Sequence, residues 1–270
     1  MMAVAERVSG FDPAQWGRRF VSVVVVFLLW ALATTVLGLI PNLPSPLDVG
    51  ATFAEALAES SFWTAALVST ARIYVSFAVA AVLAVPVGLL IGSNRVFADF
   101  TFPALETLRP VPPVAWIPVV ALVFPILSVG LVDYPVDTGI LFITFLGAFF
   151  PILLNAVQGV RDIDEEYPRA AESLGTSRLQ TFRHVVYPGA LPSIHAGMIN
   201  GMGLAWVNLV AAEMIAGSGL GYLTWSSYIA GDYATIIVGM ISIGLLGYLS
   251  SLLVRWVGAR QLPWTQTDAI

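Results

Sequence analysis

Of 270 residues, 58% are hydrophobic and 11% charged, with a mean hydropathy of +0.85, whereas a soluble domain carries about 25% charge. This balance excludes a soluble globular protein and predicts a single-domain integral membrane protein. The absence of cysteine excludes disulfides, thiol catalysis and thiolate metal sites, and two histidines, His184 and His195, are too few for a histidine metal centre.

The polar start, residues 1–19, carries three arginines. Residues 20–40 then run 21 positions without a charge, enough to cross ~30 Å of hydrocarbon. The run is too long for a signal peptide and no small-residue cleavage site follows, so it predicts a retained first span. Pro41, Pro44 and Pro46 break the chain before a short amphipathic piece with Glu55 and Glu59. A second span is predicted over 73–92, entered past Arg72 and closed by Gly92-Ser93-Asn94-Arg95. The third, 110–132, is uncharged but interrupted by Pro112, Pro113, Pro118 and Pro125. Broken helices are tolerated at membrane depth only against protein or a water-filled cavity, so this segment reads as a pathway lining. After a small loop at 133–137, spans are predicted at 138–160, 185–212 and 233–254, with a short tail from 258 to 270.

All twelve basic residues are arginine, against seventeen acids, a composition compatible with a high-salt organism or a GC-rich genome. Placing both termini inside puts eleven arginines on the inner side and leaves only Arg72 outside, as the positive-inside rule asks. The expectation is an all-α, multi-pass cell-membrane protein of about six transmembrane helices with cytoplasmic N- and C-termini.

The densest charge lies between the fourth and fifth spans, in RDIDEEYPRAAESLGTSRLQTFRHVVYPGALPSI, residues 161–194. Ile163, Tyr167, Ala170, Ala171 and Leu174 recur at helical spacing as one apolar stripe. Asp164 is a candidate N-cap, Glu165 and Glu166 suit the positive end of a helix dipole, and Gly175 suits a left-handed helix stop. A second short helix carrying Leu179, Phe182 and Val186 would end before Pro188. Periodicity alone is equally compatible with an ordinary loop lying on the membrane surface.

Arg169-Ala170-Ala171-Glu172-Ser173-Leu174-Gly175, followed by Val186-Tyr187-Pro188-Gly189-Ala190-Leu191-Pro192, resembles the "EAA" loop of ABC-importer permeases. Leu43-Pro44-Ser45-Pro46, the run Leu108-Arg109-Pro110-Val111-Pro112-Pro113-Val114-Ala115-Trp116-Ile117-Pro118, Phe149 to Asn155, and Ala211-Ala212-Glu213-Met214 with Gly217 to Tyr222 are similar to the nitrate/sulfonate/taurine/bicarbonate branch. The resemblance spans about residues 30–256. It departs at Arg169, which stands where the glutamate that names the motif stands, and after Phe124, where Pro125 to Asp137 exceed the family's short turn.

The resemblance implies a type I ABC-importer permease-like fold over 20–257, with a cytoplasmic coupling loop at 161–184. It also implies a homodimer around a central path, a cytoplasmic ABC ATPase dimer, and an extracytoplasmic binding protein that delivers and selects a small, anionic solute. ATPase coupling would fall to Arg169, Ala170, Ala171, Glu172, Leu174, Gly175 and Arg178. Such a chain is not an enzyme, and it binds no cofactor, metal or nucleic acid, the ATP being used by its partner. No G-x-x-x-x-G-K-[ST] is present.

Among residues weighed singly, Arg109, Pro112, Pro113 and Glu213 are pathway or gate candidates. Arg109 either pairs with Glu106, three residues before it, or admits an anion. Glu213, ionisable near bilayer depth, either serves function or bonds to backbone at the bundle interface. Arg72 is expected to snorkel to headgroups. Gly217-Ser218-Gly219-Leu220-Gly221 reads as a flexible outer turn. It lacks the soluble strand of a dinucleotide fingerprint, and a serine nucleophile would lie ~30 Å from either histidine. A competing class, an ion-coupled secondary transporter, asks for paired ionisable groups near the midplane, and a polytopic enzyme asks for a catalytic pair.

Overall fold

The computed structural model describes residues 13–262, apart from 39, 41, 124–125 and 129–134. Helix α1 (Pro13–Ala31) widens into a π turn at Leu32–Val36, where the hydroxyls of Thr34 and Thr35 bond back to the Trp30 and Ala31 carbonyls. Ser45 and Pro46 of the Leu-Pro-Ser-Pro run start α2 (Pro46–Ala58). Ser45 accepts from the Asp48 amide, the Asp48 carboxylate accepts from the Ser45 amide, and Pro46 takes the first helical position.

Helix α3 (Ser60–Ser93) runs 34 residues, much longer than the expected 73–92. Arg72, read as the mouth of that span, lies inside the helix and is buried. A charge that ends an uncharged run need not end a helix when a partner neutralises it, and Glu213 does so here. Pro86 also sits inside α3, as neighbouring helices in a membrane bundle allow.

The expected third span is not one helix. Helix α4 (Arg95–Leu108) precedes it, the chain breaks at 109–112, and a 3-10 turn (Pro113–Trp116) leads into the seven-residue α5 (Ile117–Val123). Consecutive prolines withdraw the amides a helix would need, so the segment folds in short pieces. Ile126–Ser128, from the end of the expected third span, and Pro135–Asp137, from the expected loop, form a two-stranded antiparallel ribbon pairing Ile126 with Asp137. Pro125 and residues 129–134 lie outside the described residues, as do Pro41 and residues 263–270 of the tail.

Helix α6 (Thr138–Arg161) follows the fourth expected span. The charged island folds as α7 (Glu166–Ser173), a glycine corner, and α8 (Arg178–Thr181). The expected stop at Pro188 does not occur. A π turn, Phe182–Val186, joins α8 to α9 (Tyr187–Glu213), giving 36 continuous residues. The Tyr187 amide there reaches back to the Phe182 carbonyl, and this wide turn takes the clash that Pro188 would make with a carbonyl four residues earlier. Helices α10 (Leu220–Ala230) and α11 (Tyr233–Gln261) follow.

Among the described residues, four helices are long and apolar enough to cross a bilayer: α3, α6, the α8–α9 unit and α11. The class is all-α, with the small ribbon as its exception. Lipid tails supply no hydrophobic drive between helices, so small residues and close backbone contact hold them together. A Cβ at Gly88 of α3 would lie 2.8 Å from the Leu153 carbonyl oxygen of α6, and one at Gly201 of α9 would lie 3.0 Å from that of Ala148. Around these approaches Ile73, Ile91, Ile152, Leu153, Met202 and Leu209 are almost fully buried.

The packing also sets direction. Gly159 of α6 meets Ala190 at the start of α9, and Gly147 meets Leu204, so these two helices are antiparallel. Gly258 of α11 meets His195, and Gly247 meets Trp206. The C-terminal ends of α3, α6 and α11 therefore gather with the start of α9 at the island end of the bundle. Glu213 lies at the opposite end.

Candidate functional site

The island folds around a hydrogen-bonded glycine corner. The Thr176 amide reaches back to the Ala171 carbonyl at 3.3 Å, and Gly175 takes φ +85°, the left-handed stop expected of it. Ser177 and Gln180 then form a reciprocal cap that starts the next helix. Asp164 does not cap with its side chain. Glu165 occupies the N-cap position, and its carboxylate pairs with Arg169 one turn on. The expected stripe divides: Ile163 turns inward onto Gly189, and Ala171 is half-buried. Ala170 stays exposed, as do Tyr167 at 63%, Leu174 at 86% and Leu179 at 73%. Glu172 and Arg178 are exposed too and form no ion pair among the described residues.

A cavity of about 870 Å³ opens beside the middle of α6, between it, α9, α11 and the proline break. Phe150, Pro151, Leu154 and Pro113 give it apolar walls, and its polar groups are Arg109, Arg255, Asn155, Asn200, Asn208 and Ser251. Asn155 and Asn208 each donate one amide hydrogen to the carbonyl four residues back, at 2.8 Å. Arg109 forms no ion pair with Glu106 among the described residues. Pro113 lines the cavity beside Arg109, while Pro112 precedes the 3-10 turn that sets Pro113 in place.

Glu213 is apart from these candidates. It is fully buried at the far end of α9, where Arg72 Nη1 donates to its Oε1 at 2.9 Å. Ser69 Oγ donates at 2.7–2.8 Å and the Gly221 amide at 3.0 Å. Ser69 in turn accepts from the Leu220 amide, and Arg72 also donates to Ser218 Oγ and its carbonyl. The pair is thus held by hydrogen bonds on every side, which a buried ion pair needs to offset its desolvation. Arg72 does not snorkel, and Gly217-Ser218-Gly219 is a tight turn wrapped around the pair, with φ +78° and +96° at its glycines.

Arg255, Asn200 and Ser69 carry no motif that marks them as site residues in the sequence, and Ser218 reads there only as part of an outer turn. One signal for the ion pair is visible in the chain: Arg72 and Glu213 are the sole Asp, Glu, Lys or Arg residues of two long apolar helices. Opposite lone charges of this kind point to each other. Among the described residues no group of three His, Asp or Glu side chains could hold a metal.

Comparisons with known proteins fit this architecture. Residues 84–265 match the family described as binding-protein-dependent transport system inner membrane component. The chain is 28% identical over 259 residues to the nitrate import permease protein NrtB of Synechocystis, covering 92% of this chain and 90% of that one. It is 32% identical over 209 residues to the taurine transport system permease protein TauC of Escherichia coli K12, with 76% and 72% covered. It is also 32% identical over 198 residues to the bicarbonate transport system permease protein CmpB of Synechococcus elongatus, with 73% and 68% covered. With four membrane-length helices and a family match over most of its length, the chain belongs to the ABC-transporter permeases of binding-protein-dependent systems, in the nitrate/taurine/bicarbonate group.

Proposed function

We propose that this chain forms half of the translocation path of an ATP-driven importer for a small anion. A second copy supplies the other half, a pair of cytoplasmic ATPase subunits drives it, and an extracytoplasmic binding protein loads it. The observation that carries this reading is the glycine corner. Tyr167, Leu174 and Leu179 expose apolar surface on an element fastened directly to α6 and α9. Exposed apolar groups with a charged rim are what a protein partner buries. An ATPase that gripped this corner would move two of the four long helices as levers.

Orientation follows from the same end of the bundle. Arg95, Arg161, Arg169, Arg178, Arg183 and Arg260 gather there, which favours a cytoplasmic island and cytoplasmic termini. The anionic class of the solute draws on the relatives named for nitrate, taurine and bicarbonate, and on a cavity with two arginines and no carboxylate. The chain itself performs no covalent chemistry and uses ATP only through its partner.

The test is reconstitution in liposomes with and without the co-purified ATPase, assaying nitrate, taurine and bicarbonate uptake. Uptake is expected only with ATP, the ATPase and the binding protein together. Uptake that ignores ATP and follows an imposed ion gradient would overturn the reading in favour of a secondary transporter.

A further inference from the structure

The two arginines of the cavity beside α6 stand in unusual company. Arg109 comes from the proline break and Arg255 from α11, yet both line one hollow between α6 and α9. No Asp or Glu lines it, and among the described residues neither arginine has a carboxylate partner. By contrast Arg72 and Arg169, elsewhere in the chain, are each paired with a glutamate. The hollow lies beside the middle of α6, about 9 Å inward from Arg161 at 1.5 Å per residue if measured from Asn155. Both arginines are exposed to this hollow, and positive charge without a carboxylate partner on the lining of a membrane bundle is a functional signal whose natural partner is an anion.

Arg109 also lines a second hollow that runs on toward the island end. Asn155 and Leu154 are shared by both, and the second reaches Arg161, whose guanidinium lies 5.2 Å from the Phe102 ring centroid. A guanidinium is well suited to guiding an anion, because it stays charged, is weakly hydrated, and presents several donors to planar or tetrahedral oxyanions. Asn155 and Asn208 each spend one amide hydrogen on backbone and retain a second.

We propose that Arg109 and Arg255 are the charge-selecting residues of the path. They hold the anion in the cavity beside α6 and pass it toward Arg161. This rests on the chain being the path-forming subunit of an importer, and the experiment separates the two claims.

The natural chain has no cysteine, so a single-cysteine variant is the only thiol that this chain brings to the complex, and the complex with the unmodified chain supplies the labelling background of its partners. Ser251→Cys and, independently, Asn200→Cys are placed in the full permease–ATPase complex in liposomes. Each is labelled with an anionic (sulfonatoethyl) and a cationic (trimethylammonioethyl) methanethiosulfonate, and the rate ratio is referred to that of a free thiol in solution. The anionic reagent is expected to be favoured by at least about fivefold at both positions, as two nearby positive charges in a partly screened cavity would produce. Arg109→Gln with Arg255→Gln should abolish the preference, and Arg109→Lys with Arg255→Lys should restore most of it.

ATP-driven uptake of nitrate or bicarbonate, measured on the same preparations, should fall at least tenfold in the Gln pair and recover in the Lys pair. A label preference that survives the Gln pair, with uptake intact, overturns this assignment and leaves the importer reading standing. Absence of ATP-driven uptake in the unmodified complex strikes the importer reading itself. Gln variants that lose thermal stability or dimerisation while keeping the preference would make the arginines structural, and would also overturn the proposal.

Discussion

Arg72 and Glu213 meet at 2.9 Å across 141 positions of chain, and the contact ties α3 to the end of α9 and the start of α10. Both side chains are buried, at 7% and 0% exposure. Removing one partner leaves the other charged and desolvated, a loss of about 3–5 kcal/mol. Arg72→Gln and Glu213→Gln should therefore each lower the melting temperature of the purified protein sharply. The combined Arg72→Met, Glu213→Leu chain should lose less than either single variant. Additive losses in this cycle would mean that the two charges do not depend on each other.

The turn around that pair makes a second demand. Gly219 has φ +96°, and a Cβ there would collide with the Glu213 carboxyl group. Gly217, two residues earlier, has φ +78° but open space around it. Gly219→Ala should disrupt the ion pair as well as straining the backbone, and fold poorly. Gly217→Ala should cost only its strain, about 1–3 kcal/mol. Expression level and melting temperature in detergent read the contrast, and equal losses at both positions would count against the packing argument.

These features show which parts of the fold local chain dictates and which it does not. The helix stop at Gly175 was legible because a left-handed glycine cap depends on local chain alone. The bounds of α6 were legible because an uncharged run ends cleanly at Arg161. Arg72 misled because a hydropathy window sees its charge but not the neutralising Glu213, 141 positions away. Pro188 misled because the π turn that accommodates it has no marked composition. The hollow between Arg109 and Arg255 depends on how α11 docks against α9, which no local pattern encodes. Arg255 follows directly on the expected sixth span, 233–254, where nothing local marks it as a site residue.

His195 and Gly258 test the docking of α11. The imidazole lies directly against Gly258, so that a Cβ at 258 would overlap the ring. Gly258→Ala should lower stability by about 1–3 kcal/mol through overpacking. His195→Ala in the same chain should return much of that loss by emptying the space. Gly203→Ala on the same α9, where nothing lies within 4 Å, should be neutral or slightly stabilising. Thermal melting of these three variants beside the unmodified chain suffices. If His195→Ala does not relieve Gly258→Ala, the two helices do not meet there.

Gly175 offers the sharpest test of coupling. It holds φ +85° at the surface with no atom within 4 Å of where a Cβ would stand, so a larger side chain strains the corner without disturbing the bundle. Gly175→Val should leave melting of the four long helices nearly unchanged, while re-aiming Leu174 and Leu179, which are 86% and 73% exposed. If an ATPase grips those residues, the variant complex should still hydrolyse ATP but transport at least about tenfold less solute per ATP, the equivalent of ~1.4 kcal/mol of coupling. Gly175→Asn, which tolerates the left-handed conformation, should retain most of the transport. Leu174→Asp, which leaves the backbone alone, should instead weaken ATPase association in pull-down. Undiminished transport in both Gly175→Val and Leu174→Asp would show that the corner is not where the ATPase takes hold.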